Sequence, residues 1–328
     1  MSSRAAPALL VLTALACADE QPADDEIGSE TTSEGSGTDE SDASESASGE
    51  TDESTDTGES TETGEPALVC NGHAELCDRP LDEVVFAGTH NSHASSEDGF
   101  SQFNTNQAHA IPTQLAEGVR LLLIDTYYAE DQSIVLCHGP CNLGSISHLD
   151  TLQSITDFLV ANPGEVIAII YQDAVDAADL ALDYAATGAE ALTYAHPVGE
   201  PWPTLGELIE ADTRLLVTVE QGGPPPAWHQ HVWDLAWDTA YAEMDPADMS
   251  CELNRGSPDN DLFLLNHWVA NQLGLPSPEG ADIVNQYDFL LARAQECWEF
   301  WDHPPNFVAV DFYDRGDLVA VVDTLNGF

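Results

Sequence analysis

The chain contains no lysine, and its seven basic residues are all arginines. Against them stand 59 acidic residues, which leave a formal net charge of −52 at pH 7. Nucleic acids attract proteins through clustered Lys and Arg, so this composition argues against a nucleic-acid-binding function. It also predicts that an anionic lipid surface repels the protein unless cations intervene.

Long apolar runs are equally scarce. The run at residues 5–16 follows a single positive charge at Arg4 and is too short to span a membrane. It ends in Ala14-Leu15-Ala16-Cys17, which resembles a lipoprotein cleavage site. We expect residues 1–17 to be a secretory signal that leaves a lipidated Cys17 as a membrane tether. An ordinary cleaved signal that happens to contain a cysteine is the alternative. No later stretch is long and apolar enough for a transmembrane helix.

Residues 18–66 contain no aromatic and no basic residue, and 18 of them are acidic. Such a segment cannot bury enough apolar surface to offset its ordering entropy, so we predict a disordered acidic linker with a reach on the order of 40 Å. A passive, solubilising spacer is the preferred interpretation. The remaining residues, 67–328, are then one domain of about 262 residues, close to the roughly 250 typical of a (β/α)8 barrel.

Six cysteines follow Cys17, and an even number in an exported domain predicts disulfides. The Cys-x6-Cys and Cys-x3-Cys spacings are untypical of zinc sites. Fifteen pairings are possible. Closeness along the chain favours the pairs Cys70–Cys77 and Cys137–Cys141. Elimination then leaves the pair Cys251–Cys297.

Short apolar runs recur in residues 67–328 and alternate with amphipathic stretches. Runs of this kind are typical of parallel strands buried on both faces, so the predicted fold is α/β, a (β/α)8 TIM-type barrel. Eight strands are predicted at 84–89, 121–124, 134–137, 166–170, 214–219, 239–244, 262–265 and 307–310, the sixth being the weakest. Helices are predicted at 149–160, 204–211, 283–301 and 316–325. The stretch 222–238, rich in Pro and Trp, is predicted to be an irregular rim loop.

Polar side chains follow the predicted strands, and in a parallel barrel all the carboxyl ends of the strands open on one face. His90 follows the first strand and His138 the third. Two histidines can divide the work of cleaving a phosphodiester by an internal hydroxyl, because one takes a proton while the other gives one. Asp311, after the last strand, is predicted to orient His90. A structural, hydrogen-bonded role is the alternative for His90.

Asp125 ends the second predicted strand and could bind a hard cation together with Asn91 and an oxygen of Gln172 or Asp173. Calcium takes such a mixture of carboxylate and amide oxygens. Because lysine is absent, only a metal ion or a scarce arginine can neutralise a phosphodiester transition state. A buried ion pair of Asp125 with Arg120 is the alternative.

Two further residues are candidate substrate contacts. Arg255 could contact a phosphate or a hydroxyl, although a salt bridge is the alternative, and Tyr313 lies two residues after Asp311. His93 is interpreted as a polar loop residue.

These segments resemble the catalytic X domain of phosphatidylinositol-specific phospholipases C, and more closely the secreted plant, fungal and bacterial proteins that consist of an X domain alone. The resemblance covers nearly all of residues 70–328. It is carried by Ala87-Gly88-Thr89-His90-Asn91-Ser92, by Leu136-Cys137-His138-Gly139, and by the segments 70–77, 118–127, 158–166 and 306–313. It implies an often distorted (β/α)8-type barrel. In that barrel His90 deprotonates the inositol 2-hydroxyl and His138 protonates the leaving diacylglycerol oxygen, which yields a cyclic inositol phosphate.

The resemblance also implies calcium. Calcium-dependent members carry an Asp at the position of Asp125 and an Asn after the first His, whereas metal-independent bacterial members carry an Arg in place of the Asp. Calcium-dependent members usually have a Glu where this chain has Leu123, and related X-domain-only proteins show a Glu at Gln172. Both departures lower the charge of the ligands and predict weaker calcium binding.

We therefore expect an exported, monomeric phosphoric diester hydrolase that acts on phosphatidylinositol or glycerophosphoinositol. Two alternatives stay open. One is a catalytically inactive barrel that binds a phosphorylated ligand, which Leu123 and Gln172 favour and the histidine pair argues against. The other is a phospholipase D-like enzyme that forms no cyclic intermediate.

Overall fold

The computed structural model describes residues 68–328 with the exception of Ala174 and Ala242, and it does not describe the side chain of Asp173. The predicted signal, the predicted linker and Cys17 lie outside the described residues. The boundaries of these segments therefore stay predictions.

Twelve strands and seven α-helices form within the described residues. The strands are β1 Phe86–Thr89, β2 Leu121–Tyr128, β3 Ile134–Leu136, β4 Ile146–Ser147, β5 Ile167–Asp173, β6 Thr193–Tyr194, β7 Leu215–Val219, β8 Gln230–His231, β9 Ala236–Thr239, β10 Leu253–Gly256, β11 Leu262–His267 and β12 Phe307–Val310. The helices are α1 Ile111–Ala116, α2 His148–Ala161, α3 Ala177–Thr187, α4 Leu205–Glu210, α5 Pro278–Val284, α6 Tyr287–Trp301 and α7 Leu318–Leu325.

The strands pair in the order β10-β9-β11-β12-β1-β2-β5-β7-β6, and the run from β9 to β6 is parallel throughout. Successive residues of β12 face two different apolar clusters. Val308 and Val310 pack toward the helices, whereas Phe307 and Ala309 pack on the other face of the sheet. Burial on both faces explains the continuous apolar runs and confirms the α/β, TIM-barrel-type fold class.

The third predicted strand differs from the expectation in its direction. β2 continues past Asp125 to Tyr128, and β3 folds back on it in an antiparallel pair that matches Thr126 with Leu136. The chain therefore travels back toward the sheet before it reaches His138. An apolar run predicts a buried strand but carries no information about its direction.

The prediction was wrong for the sixth strand and for part of the stretch 222–238. β9 lies at Ala236–Thr239 rather than at 239–244, and β8 also lies inside the predicted loop. Trp237 is fully buried in β9 and stacks on Phe263 of β11, with ring centroids 3.8 Å apart. A tryptophan that fills the core explains why this strand does not resemble the aliphatic ones.

The predicted helix at 283–301 is interrupted and forms α5 and α6. The break occurs at Asn285, whose side-chain amide donates to the carbonyl oxygens of Asp311 at 2.7 Å and Phe312 at 3.2 Å. Helix α5 thus ends at Asn285, the residue whose side chain supports the segment after β12. Helices α1 and α3 were not predicted.

Other local predictions agree with the structure. Thr204 and Glu207 form the expected capping box at the start of α4. The three disulfides pair as expected, Cys70–Cys77, Cys137–Cys141 and Cys251–Cys297. No helix within the described residues is both long and apolar enough to cross a bilayer.

Candidate active site

Three neighbouring strands end in the same layer at one edge of the sheet. Thr89 of β1 is in register with Val310 of β12, and Val310 is in register with His267 of β11. The next residue of each strand is His90, Asp311 and Trp268 respectively. The parallel register thus places the three side chains beside one another.

His90 is held at its Nδ1 edge. Nδ1 lies 2.9 Å from Oδ1 of Asp311, a carboxylate that is only 3% exposed, and the amide of Asn106 donates to the same oxygen at 2.9 Å. The side chain of Gln107 donates to the backbone carbonyl oxygen of His90 at 2.8 Å. Asp311 therefore has the geometry expected of a residue that orients His90, and the carboxylate is itself held in place.

One face of His90 is covered by Trp268. The two ring centroids are 3.9 Å apart and the ring planes differ by 6°. This face-to-face stack was not anticipated from the sequence.

His138 approaches His90 from the β3 side, with ring centroids 6.4 Å apart. Its Nδ1 lies 3.2 Å from the carbonyl oxygen of Asn104, and the Asn104 amide donates to the His138 carbonyl oxygen at 2.7 Å. Since a carbonyl only accepts, Nδ1 carries a proton and Nε2 is the nitrogen available for proton exchange. Burial lowers the pKa of His138, and the charge of His90 lowers it further.

Asn91 connects His90 with Asp125. When its amide nitrogen faces Asp125, it donates to the two carboxylate oxygens at 3.0 and 3.2 Å, and its carbonyl oxygen accepts from Nε2 of His90 at 3.1 Å. When the amide is reversed, its nitrogen faces Nε2 of His90 and its oxygen faces the carboxylate. The reversed orientation brings the side-chain oxygen of Asn91 close to the two carboxylate oxygens of Asp125. Such a group of three oxygens is favourable only with a cation between them.

The candidate calcium ligands lie together but carry little charge. Asp125 of β2 is in register with Gln172 of β5, so the two residues are neighbours across the strands. Within residues 68–328, apart from Ala174, Ala242 and the side chain of Asp173, no group of three or more His, Cys, Asp and Glu side chains is arranged to hold a metal ion. One carboxylate with two amides fits calcium better than zinc. Arg120 forms its ion pair with Glu165, at 2.6 Å.

Arg255 forms salt bridges, as the alternative interpretation proposed. Its guanidinium lies 3.0 Å from Glu220 and 2.7 Å from Asp238, and it also lies over the rings of Trp233 and Tyr241. Burial raises the pKa of Asp238, although Arg255 opposes this effect. A substrate contact by Arg255 stays a prediction.

Tyr313 is not brought to this group of residues. Its ring packs in the apolar core, and its hydroxyl donates to Glu117 at 2.7 Å. Burial, together with this hydrogen bond, raises the pKa of the Tyr313 hydroxyl. The structure thus places Tyr313 as a packing residue.

The family model described as PI-PLC X 1 matches residues 76–326. The chain belongs to this family. It is 30% identical over 285 residues to PI-PLC X domain-containing protein 1 of Arthroderma benhamiae, with 79% of this chain and 90% of the relative covered. A PI-PLC X domain-containing protein of Arabidopsis thaliana is 27% identical, with 76% of this chain but only 63% of the relative covered. An uncharacterized secreted protein of Arthroderma benhamiae is 26% identical, with 76% and 61% covered.

The fold of the X domain also matches solved structures. The phosphatidylinositol-specific phospholipase C from Listeria monocytogenes superposes with a TM-score of 0.52 at 17% identity, covering 80% of this chain and 96% of that one. The S. aureus phosphatidylinositol-specific phospholipase C gives a TM-score of 0.56 at 16% identity, with 77% and 95% covered. At these identities the likeness shows a shared fold.

Several residues of this X domain that support the histidines were missed from the sequence. Asn104, Asn106 and Gln107 come from one short segment, and this density of amides between β1 and α1 is a signal that could have identified it. His93 lies in the turn after β1, which agrees with the prediction of a loop residue. Its complete burial was not predicted, and burial lowers its pKa to about 3.

Proposed function

We propose that this X-domain protein is a phosphoric diester hydrolase of the phospholipase C type, with His90 as the general base and His138 as the general acid. The observation that carries the proposal is that the two rings lie with their centroids 6.4 Å apart and that each is held at Nδ1. Nδ1 of His90 contacts Asp311, and Nδ1 of His138 contacts the carbonyl oxygen of Asn104. Fixing Nδ1 directs Nε2 of each ring to proton transfer, which is the division of labour that internal attack requires.

In the proposed reaction, Nε2 of His90 takes the proton of a substrate hydroxyl whose oxygen then bonds to phosphorus. The bond from phosphorus to the leaving oxygen breaks, and that oxygen takes the proton from Nε2 of His138. The product is a cyclic phosphodiester, and the two histidines have exchanged protonation states. Asp311 stabilises the imidazolium that forms on His90, because its carboxylate lies 2.9 Å from Nδ1.

We assign calcium to Asp125, with the carbonyl oxygens of Asn91 and Gln172 as the further ligands. A calcium ion held there would supply positive charge for the phosphate oxygens, which the lysine-free chain otherwise provides only through arginine. The proposed substrate is phosphatidylinositol or glycerophosphoinositol. Export is supported by the secreted name of one relative and by residues 1–17, with Cys17 as the proposed tether.

The test is a phosphodiesterase assay of the purified protein on phosphatidylinositol and on glycerophosphoinositol, with added calcium and with chelator. Calcium-dependent release of a cyclic phosphate is the expected result. A phosphate ester formed without a cyclic intermediate would indicate phospholipase D-like chemistry instead. A folded protein that turns over neither substrate would refute the proposal and favour a barrel that only binds a phosphorylated ligand.

Replacing Asp125 with Asn is expected to weaken calcium activation without unfolding the protein. The change removes the charged oxygen of the ligand set, so the calcium concentration for half-maximal activity should rise by at least about tenfold. Calcium titrations of activity measure this shift, and thermal unfolding in chelator monitors the fold. The matched control is Asp212→Asn, which removes a carboxylate that pairs with Arg214 at 2.8 Å instead. The assignment would be contradicted if Asp125→Asn left the calcium dependence unchanged. It would also be contradicted if the variant lost thermal stability to the same extent as activity.

The rate is expected to fall as the pH rises toward neutrality. The pKa of His138 is lowered from 6.5 by burial and by His90, so the protonated acid is lost below the pH at which an ordinary histidine titrates. The alkaline side of the kcat/KM profile, which reports the free enzyme, should therefore lie at a lower pH than it would with an acid of ordinary histidine pKa. A kcat/KM that keeps rising through neutral pH would exclude His138 as the acid.

A further inference from the structure

We propose that Trp268 is a positioning residue for His90, because its indole fixes the plane of the imidazole and thereby the direction of Nε2. The inference rests on the proposed role of His90 as the base. It starts from the face-to-face stack, with centroids 3.9 Å apart and planes 6° apart.

The hydrogen bond to Asp311 is insufficient to fix the ring of His90. The torsion about Cβ–Cγ of a histidine is broad and roughly two-fold, so the ring is not held by its own rotamer. The contacts of Nδ1 with Asp311 and of Nε2 with Asn91 both lie along the edges of the ring, so neither blocks a swing of the ring out of its plane. Proton transfer needs a heavy-atom distance of about 2.6 to 3.2 Å, so such a swing removes Nε2 from reach of a hydroxyl. A flat surface against the ring face prevents this motion.

Trp268 is itself firmly supported. Its side chain is 6% exposed, and its backbone continues from β11 at the register position beside Asp311. Two residues later, the amide of Ala270 donates to the carbonyl oxygen of Glu243 at 2.8 Å. The ring of Tyr241 lies 5.6 Å from the indole, and the Arg255 guanidinium lies over Tyr241 at 5.1 Å. The indole therefore backs His90 with a packed wall rather than a mobile side chain.

The chain offers a matched control for this stack. Trp202 stacks on His196 with centroids 3.7 Å apart and planes 6° apart, and it is 5% exposed. Its indole N–H donates to Asp261, the residue that leads into β11, so this second stack lies at the amino ends of the strands. The two tryptophans share ring geometry and burial but lie at opposite ends of the sheet.

The experiment compares Trp268→Leu, Trp268→Phe and Trp202→Leu in the full chain. We expect Trp268→Leu to lower kcat by about 10- to 100-fold with little change in KM, because a misplaced base slows the chemical step rather than binding. Trp268→Phe keeps a flat ring and should stay within about threefold of the wild-type kcat. Trp202→Leu should lower thermal stability and leave kcat intact. A Trp268→Leu variant that retains kcat, or a Phe variant as slow as the Leu variant, would overturn the proposal.

A second readout does not depend on turnover. The ring current of the indole shifts the NMR resonances of the His90 ring protons upfield, and these resonances are assigned by comparison with His90→Gln. The shift should persist in Trp268→Phe and Trp202→Leu and disappear in Trp268→Leu. If the wild-type protein turned over neither substrate but showed this pattern, the proposed function would fail while the positioning role stood. His90 resonances that are indifferent to Trp268→Leu would refute the positioning role, whatever the activity.

Discussion

Replacing His90 with alanine is expected to reduce kcat by at least about 10²-fold, the scale of a general acid–base group. The side chain combines a carboxylate partner at Nδ1, a second histidine 6.4 Å away and partial access to solvent, with 23% of its surface exposed. KM should change far less than kcat, because the imidazole acts on the reacting hydroxyl.

Loss of the ring also leaves Asp311 buried without one of its partners, so His90→Ala alone could lower activity through the fold. The variant His90→Gln keeps an amide near Asp311 but cannot act as a base, and it should be as inactive as the alanine variant. Steady-state kinetics and thermal unfolding of both variants separate the two causes. Turnover close to wild type in either variant would rule out the mechanism.

His73→Ala is the matched control. His73 is paired with Asp323 at 3.1 Å, stacked on Phe328 at 3.7 Å and 29% exposed, so it shares with His90 a carboxylate partner, a ring stack and partial exposure. It lies beside Asn71, which bonds Val166 just before β5, at the amino ends of the strands. This control should keep its kcat. An equal loss of activity in both variants would point to stability rather than catalysis.

The sequence predicted the positions of those candidate residues that directly follow an apolar run. His90, Asp125 and Asp311 were found because an apolar run of both-face burial ends at each of them, and parallel pairing then places their side chains at one edge. The fold class followed from the same pattern. The type of a residue and its position after an apolar run are local features, so they can be read from a single sequence.

The features that were missed depend on which strands pair and in which register, and the sequence alone does not reveal this. His138 was correctly expected near His90, although β3 is antiparallel. β2 extends beyond the edge of the sheet, and β3 runs back along it toward that edge. Trp268 lies three residues past the predicted strand at 262–265, because β11 extends to His267. Only the register of β11 with β12 sets it against His90. The aromatic strand β9 was misplaced because its burial comes from Trp237 packing on Phe263 rather than from an aliphatic run.

Removing the Cys137–Cys141 disulfide is expected to lower kcat by about 10- to 100-fold, the cost of misplacing a reacting group by about 1 Å. The two cysteines bracket His138, and Cys137 is fully buried, so the crosslink closes a loop of very few residues around the proposed acid. The loop also contains Gly139 at a φ of +66°, a conformation that other residues avoid. His138 contacts Asn104 through both its ring and its carbonyl oxygen, and these two hydrogen bonds must hold the loop once the crosslink is lost.

The Cys70–Cys77 disulfide provides the comparison, because it also closes a short loop but lies beside β5 at the amino ends of the strands. Chain-entropy arguments give both crosslinks a similar contribution to the free energy of unfolding, about 2 kcal/mol each. The double variants Cys137→Ala/Cys141→Ala and Cys70→Ala/Cys77→Ala should therefore lose comparable stability in denaturant unfolding. Only the first should lose kcat, and its KM should stay near the wild-type value. If both double variants kept full turnover, the loop would hold His138 without its crosslink, and the disulfide would serve stability alone.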